Sequence, residues 1–151
     1  MSSEMITDLT TELATDLTPG GFTPLTAANL PALTLAYIGD AVYELRVRRH
    51  LLDGGCRKVQ DMHKQSVALV RAETQSRLLA ALEPQLTEAE ADVARRGRNA
   101  KGSHQPPHVP VAVYRRATGL EALIGYLWLL GEESRLDELF AVLFSLDLSE
   151  A

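Results

Sequence analysis

Apolar residues recur at intervals of three and four along most of this chain, which is the period of an amphipathic helix. The first such segment runs from Asn29 to Leu52 and is closed by the turn-forming run Asp53-Gly54-Gly55. A second segment, Val59 to Leu82, ends before Pro84, a residue that interrupts helices. The pattern therefore predicts two long helices in the first half of the chain.

Three more helices are predicted in the second half. Thr87 and Glu90 form a capping-box pattern that opens the first of them. An irregular segment rich in glycine and proline, Gly97 to Pro110, follows it. The last two helices are predicted over Val111–Leu130 and Ser134–Leu146. No segment alternates with the period of two that marks a strand, so the predicted class is all-α, a multi-helix bundle.

The length of 151 residues predicts one domain. Residues 1–25 are polar, threonine-rich and broken by Pro19-Gly20-Gly21, which predicts a flexible N-terminal tail or a loosely docked short helix. Residues 26–148 form the predicted folded domain. The most apolar run, Leu120–Leu130, contains Glu121 and is too short to cross ~30 Å of hydrocarbon, so no membrane partner is expected. The single cysteine and the acidic N-terminus favour a cytoplasmic location.

The net charge of −5 argues against a nucleic-acid partner, but the cations are not spread evenly. All 15 Lys and Arg lie between Arg46 and Arg135, and Met1–Leu45 has none. Local charge decides whether a protein can hold a polyanion. One acid-free stretch is therefore a candidate nucleic-acid contact, with a solvated loop as the alternative. Its cations are Arg95, Arg96, Arg98, Lys101, Arg115 and Arg116.

Two carboxylates stand alone inside apolar stretches. Asp40 lies in the first predicted helix and Glu121 in the fourth. An ionised carboxylate that leaves water costs several kcal/mol or more unless a cation, hydrogen-bond donors or a metal ion compensates it. Glu44 shares a helix stripe with Asp40, and we expect Asp40 to lie deeper because apolar residues surround it. Two such acids on core-type helices predict a shared cation site.

Glycines accompany both acids. Gly39 precedes Asp40, and Gly119 and Gly125 flank Glu121. A glycine inside a helix costs ~1 kcal/mol relative to alanine, so these positions predict close approach of another backbone. Two helices that pack this closely can bring their acids within a few ångströms of each other.

Carboxylate oxygens without histidine or cysteine favour Mg²⁺, with Mn²⁺ as a substitute. Mg²⁺ takes one or two protein carboxylates and leaves positions for water and phosphate oxygens, so a metal-activated water can attack phosphorus. The alternative is structural: Asp40 and Glu121 pair with buried arginines, or Asp40 pins a turn.

Several motifs add to this interpretation. The segment Leu-Ala-Tyr-Ile-Gly-Asp-Ala-Val-Tyr-Glu (35–44) resembles the signature helix of ribonuclease III domains, and Glu-Ala-Leu-Ile-Gly (121–125) resembles their second acidic motif. Three further segments resemble Mini-III, the ribonuclease III branch that lacks a double-stranded-RNA-binding domain. They are Met-His-Lys-Gln-Ser (62–66), Arg-Gly-Arg-Asn-Ala-Lys (96–101) and Tyr114-Arg115 leading into Ala-Thr-Gly-Leu-Glu (117–121). The resemblance covers roughly Leu33 to Leu146.

The resemblance implies a homodimeric, Mg²⁺-dependent endonuclease that cuts double-stranded RNA, in the maturation of large-subunit (23S) ribosomal RNA. Asp40 and Glu121 would be the catalytic, metal-binding pair. Glu44 and Thr118 are candidates for supporting the metal site indirectly, and Glu44 is equally suited to pair with a basic side chain. The implied RNA-binding residues are Arg95, Arg96, Arg98, Asn99 and Lys101. Whether a ribosomal protein assists as a partner is left open.

This chain departs from the full-length ribonuclease III pattern at three positions. Leu33, Ala36 and Thr118 stand where that pattern has further acids. Mini-III looks similarly reduced, so the departures favour the narrower resemblance, but they leave the number of metal ions open. They also keep a rival hypothesis alive: a non-catalytic helical dimer that binds ribosomal RNA or a ribosome-assembly partner.

Overall fold

The computed structural model describes residues 21–101 and 105–149, and every regular element within these ranges is helical. The predicted all-α class is therefore confirmed. In chain order the helices are α1 (Pro24–Ala28), α2 (Ala32–Asp53), α3 (Val59–Val70), α4 (Ala72–Leu82), a 3-10 turn (Glu83–Gln85), α5 (Glu88–Asn99), α6 (Val111–Leu129) and α7 (Glu133–Ser145). None of the helices in these ranges is long and apolar enough to cross a lipid bilayer.

Helix α6 forms the centre of the fold. Of its 19 residues, 11 are buried, so it is enclosed by neighbours over most of its surface. Helices α2, α4 and α5 pack around it, and α7 closes one side. Burial of its leucines and isoleucine, Leu120, Leu123 and Ile124 among them, drives the assembly because apolar surface leaves water.

The α2–α6 crossing depends on two glycines. A Cβ added at Gly39 would lie 1.7 Å from the carbonyl oxygen of Glu121, and one at Gly125 would lie 2.0 Å from that of Leu35. Neither position has room for any side chain, so the two backbones touch. The close approach predicted from the glycines is confirmed, and it fixes the relative position of the segments that carry Asp40 and Glu121.

The predicted single helix over residues 59–82 is wrong, because the chain breaks at Arg71. Arg71 has an extended backbone (ψ 156°) between α3 and α4. The carbonyls freed by this break accept side-chain donors: the Tyr43 hydroxyl donates to Leu69, and the Thr74 hydroxyl to Ala68. Side chains thus supply the bonds that a continuous helix would have made, which periodicity alone does not reveal.

The boundaries near the basic segment also differ from expectation. Thr87 and Glu90 form the predicted capping box, but α5 continues to Asn99. Most of the basic motif predicted as loop is therefore the last turn of a helix. At the N-terminus, α1 begins at Pro24, inside the segment predicted as a flexible tail or a loosely docked short helix, and Phe22 packs against the core. The rest of that predicted tail, residues 1–20, lies outside the described residues.

Candidate metal centre and basic surface

Asp40 on α2 and Glu121 on α6 meet beside the glycine crossing. Gly39, the neighbour of Asp40, has its Cα against the backbone of Glu121. The two carboxyl groups are close enough that a hydrogen bond between them contributes to the pKa of both. The structure thus brings together the two acids that the sequence singled out, although 81 positions separate them in the chain.

The electrostatics of this pair are those of two carboxyl groups that share one proton. Burial raises the pKa of Glu121 to about 8, and the charge of Asp40 and its hydrogen bond to Glu121 add to the effect. Partial burial of its carboxyl group also raises the pKa of Asp40, and the charge of Glu44 adds to it, while the hydrogen bond with Glu121 acts in the opposite direction. Two like charges this close resist ionising together. In the absence of a cation, Glu121 therefore holds a proton at neutral pH.

Neither acid has a basic partner among the described residues. The ion pairs there join other groups, such as Arg46 with Glu133 and Asp137, and Arg135 with Glu90. The alternative in which Asp40 and Glu121 pair with buried arginines therefore does not apply within this part of the chain.

The depth of the two acids on α2 is the reverse of the prediction. Asp40 is exposed, whereas Glu44 is only partly exposed and Glu121 is half-buried on α6. Two of the apolar neighbours expected to surround Asp40 do not cover it: Ala41 is exposed, and Tyr37 is 80% exposed. Asp40 therefore forms the solvent side of the pair, which leaves it open to a ligand arriving from water.

The donor set fits a hard divalent cation. Within the described residues, no group of three or more His, Cys, Asp or Glu is arranged to hold a metal, so the centre offers two carboxylates. That number suits Mg²⁺, which keeps several waters and takes one or two protein carboxylates. The shared proton points the same way, since a cation would replace it and relieve the repulsion between Asp40 and Glu121.

The neighbours of the pair have defined contacts. Glu44 pairs with Arg48 at 2.9 Å, one turn along α2, and its charge also acts on Asp40. The two roles considered for Glu44 are thus compatible in space. The hydroxyl of Thr118 donates to the Tyr114 carbonyl at 3.0 Å, so this buried side chain is already bonded within its own helix.

Tyr43 is a neighbour of the centre that sequence reasoning did not select. It is fully buried, and the charge of Glu121 contributes to the rise in the pKa of its phenol, after burial itself. Tyr43 follows Asp40 by three residues, which places it on the same side of α2. That three-residue spacing is the signal in the sequence that could have selected it.

Arg95 and Arg96 are neighbours in the basic motif but have different partners. Arg96 turns inward and donates to the backbone carbonyls of Ala28 and Leu30, the latter at 3.0 Å, so it fastens the segment after α1 to α5. Arg95 is exposed and pairs with Asp92 one turn away. These contacts show that neighbours in one sequence motif face different surroundings.

Further cations lie on the two helices where α5 packs on α6. Gly97 packs on Gly119, which brings the last turn of α5 against α6 one turn after Arg115 and Arg116. Lys101, Arg115 and Arg116 make no ion pair with any described residue, and the Arg98 guanidinium stands 3.9 Å from Glu83. Asn99 is exposed at the same helix end. We name this the α5–α6 basic surface, made of Arg95, Arg98, Lys101, Arg115 and Arg116.

The pKa of Glu121 leads to a test of the metal-free centre. Its pKa is 4.5 in the unfolded chain and about 8 in the folded protein, so the folded state binds the proton more tightly. The resulting stability is fully present below pH 4.5 and is lost as pH rises towards 8. The amide of Glu121→Gln does not titrate in this range. We therefore expect its melting temperature, relative to that of the wild type, to rise by on the order of 5 °C when the pH is raised from 5 to 8.5.

The measurement is thermal unfolding in chelator at both pH values, with Glu73→Gln as an exposed-acid control. Addition of Mg²⁺ at pH 8.5 should stabilise the wild type and not Glu121→Gln, because ligands stabilise the state that they bind. If the difference in melting temperature between the wild type and Glu121→Gln stays constant with pH, Glu121 ionises freely in the folded protein.

Comparison with known proteins places this geometry in a family. A model of the ribonuclease III domain matches residues 33–132. Mini-ribonuclease 3 of Symbiobacterium thermophilum is 51% identical over 109 residues, which cover 72% of this chain and 84% of that protein. Mini-ribonuclease 3 of Desulfitobacterium hafniense is 53% identical over 105 residues, covering 70% of this chain and 66% of that protein.

A solved structure agrees with the fold. The crystal structure of a Fusobacterium nucleatum protein superimposes with a TM-score of 0.69 at 30% sequence identity, over 76% of this chain and 93% of that one. The matched family segment contains both Asp40 and Glu121 and the whole of the glycine crossing.

Proposed function

Because this chain belongs to the ribonuclease III domain family, in its Mini-ribonuclease 3 group, and is therefore an endoribonuclease, we propose that Asp40 and Glu121 hold Mg²⁺ for the hydrolysis of double-stranded RNA. One observation carries this proposal: the helices cross at Gly39 and Gly125 so closely that the two acids meet without a basic partner among the described residues. A purely structural pair of acids would bring repulsion and no benefit to folding.

The ion would supply Lewis acidity, which activates water as the nucleophile and offsets charge on the leaving oxygen of the phosphodiester. The protein's own groups divide the remaining work. Glu121 fixes the inner side of the centre because it is half-buried against α2, and exposed Asp40 faces the substrate. Glu44, held by Arg48, adds negative charge beside Asp40 and so strengthens attraction for a cation.

The α5–α6 basic surface is suited to seat the RNA. Proteins recognise A-form duplexes mainly through shape, phosphates and 2′-hydroxyls, so exposed cations at a helix end can make contact without base recognition. We assign RNA contact to Arg95, Arg98, Asn99 and Lys101. Arg96 would act on this surface indirectly, since its guanidinium is bonded to the backbone after α1.

The exposed face of α2 supports a homodimer. Leu33, Tyr37, Ala41 and Leu45 recur at four-residue spacing and all are exposed, Tyr37 to 80% and Leu45 to 68%. A contiguous apolar stripe of this kind marks an interaction surface. A twofold dimer through this stripe would place two metal centres near one another, as cleavage of both strands of a duplex requires. Sedimentation as a monomer at micromolar concentration would remove this part of the proposal.

The substrate that we propose is precursor large-subunit ribosomal RNA, processed in the cytoplasm, with a ribosomal protein assisting the reaction. Support for this assignment comes from the Mini-III motifs at residues 62–66 and 96–101 together with the relatives' shared identity.

The direct test is incubation of a long duplex RNA with the protein in Mg²⁺ or in chelator. We expect cleavage in Mg²⁺ and intact RNA in chelator, because the two acids alone provide no nucleophile. A single-stranded RNA of the same sequence is the matched control and should be cut far less. Duplex RNA that is bound but intact under both conditions would instead favour the non-catalytic RNA-binding dimer.

A further inference from the structure

The first 20 residues carry a charge pattern that the catalytic proposal does not use. They contain four acids and no cation, and the acids are spaced four apart: Glu4, Asp8, Glu12 and Asp16. An apolar residue follows each acid, namely Met5, Leu9, Leu13 and Leu17. Residues four apart share one face of a helix, so this sequence pattern encodes an acidic stripe beside an apolar one.

The structure shows where this segment joins the folded domain. Arg96 of α5 donates to the carbonyls of Ala28 and Leu30, so α1 is held against the last turns of α5. Helix α1 has five residues and is therefore about 8 Å long. The chain thus enters the folded domain, at Gly21 and Phe22, within roughly 15 Å of the Arg96 guanidinium.

Helix α5, to which Arg96 belongs, also carries part of the α5–α6 basic surface. Lys101, Arg115 and Arg116 have no ion pair among the described residues, and Arg98 has only a distant one. A segment of 20 residues spans about 30 Å as a helix and twice that when extended. Residues 1–20 can therefore reach this surface from their point of attachment.

We propose that residues 1–20 dock in cis on the α5–α6 basic surface and compete there with duplex RNA. The acids occupy the positions of phosphates, and the tether raises their local concentration to the millimolar range. The competition rests on the proposed function, because it requires RNA to use the same cations, whereas the docking itself does not. The segment would weaken the binding of duplexes that make few phosphate contacts. Substrates that make more phosphate contacts would displace it.

Docking is tested first without RNA, on the full-length chain. A nitroxide is attached to Ser2→Cys in a Cys56→Ser background, which is possible because Cys56 is the only cysteine. At about 20 mM salt we expect paramagnetic broadening of the amides of Arg98, Lys101 and Arg115, and loss of that broadening at about 500 mM salt. Absent broadening, or broadening spread evenly over the surface, would overturn the proposal.

Competition is tested by duplex binding in chelator, where the RNA stays intact. The variant Asp8→Asn/Glu12→Gln should bind a 20-base-pair duplex about three- to tenfold more tightly than the wild type at low salt, and no more tightly at high salt. The matched control, Glu73→Gln/Glu132→Gln, removes the same charge from other exposed positions. Equal tightening in both variants would indicate net charge alone and overturn the competition.

The two tests separate this proposal from the catalytic one. Localised broadening in a protein that binds no duplex supports the docking and contradicts the assigned substrate. Duplex binding and Mg²⁺-dependent cleavage without localised broadening leave the nuclease intact and remove the docking.

Discussion

Asp40→Asn and Glu121→Gln should each lower the rate of duplex RNA cleavage by about a thousandfold or more. Each change keeps the size of the side chain and removes one of the two negative charges that would hold Mg²⁺. An amide oxygen is a weaker ligand, and loss of one carboxylate from a centre with only two leaves the ion poorly held. Duplex binding should stay within about twofold, because neither residue belongs to the α5–α6 basic surface.

The measurement is single-turnover cleavage with enzyme in excess over duplex, at several Mg²⁺ concentrations. Glu73→Gln is the matched control, since it removes one exposed negative charge on α4. Partial recovery of Asp40→Asn at high Mg²⁺ would agree with a weakened site. Wild-type rates in either variant at low Mg²⁺ would show that the Asp40–Glu121 pair is not the metal centre.

The sequence predicted the architecture well because the features that determine it are local. Helical periodicity, the Thr87–Glu90 capping box and the glycines next to each acid are all readable from short stretches of chain. The glycines were especially informative: a residue that weakens a helix by ~1 kcal/mol is retained where another backbone needs the space. That argument links Asp40 to Glu121 from the sequence alone.

What could not be predicted depends on contacts between distant segments. The break at Arg71 is stabilised by the Tyr43 and Thr74 hydroxyls, and Tyr43 lies on another helix. Arg96 belongs to a basic motif but bonds to the backbone after α1, 66 to 68 positions away. Burial of Asp40 was overestimated because apolar neighbours on one helix were assumed to face the core. In fact Tyr37 and its stripe face solvent, where the proposed partner subunit would cover them.

Gly39→Ala should destabilise the protein by about 3 kcal/mol and lower its melting temperature by roughly 10 °C. Alanine inside a helix normally stabilises it by ~1 kcal/mol relative to glycine. Here the added Cβ would lie 1.7 Å from the Glu121 carbonyl oxygen, which is backbone and cannot rotate away. The steric cost of the added Cβ must therefore exceed the gain in helix propensity, and α2 and α6 must move apart. Gly54→Ala is the matched control, because its nearest neighbour is 3.5 Å away.

The same variants can separate a loss of stability from a loss of the metal centre. Gly97→Ala forces α5 away from α6, since its Cβ would lie 2.8 Å from the Cα of Gly119, but it leaves the α2–α6 crossing intact. At a temperature where both variants are folded, Gly39→Ala should need more Mg²⁺ for cleavage, while Gly97→Ala should keep the wild-type requirement. Calorimetry and a Mg²⁺ titration of cleavage measure the two effects. An unchanged Mg²⁺ requirement in folded Gly39→Ala would mean that the separation of Asp40 and Glu121 does not set metal affinity.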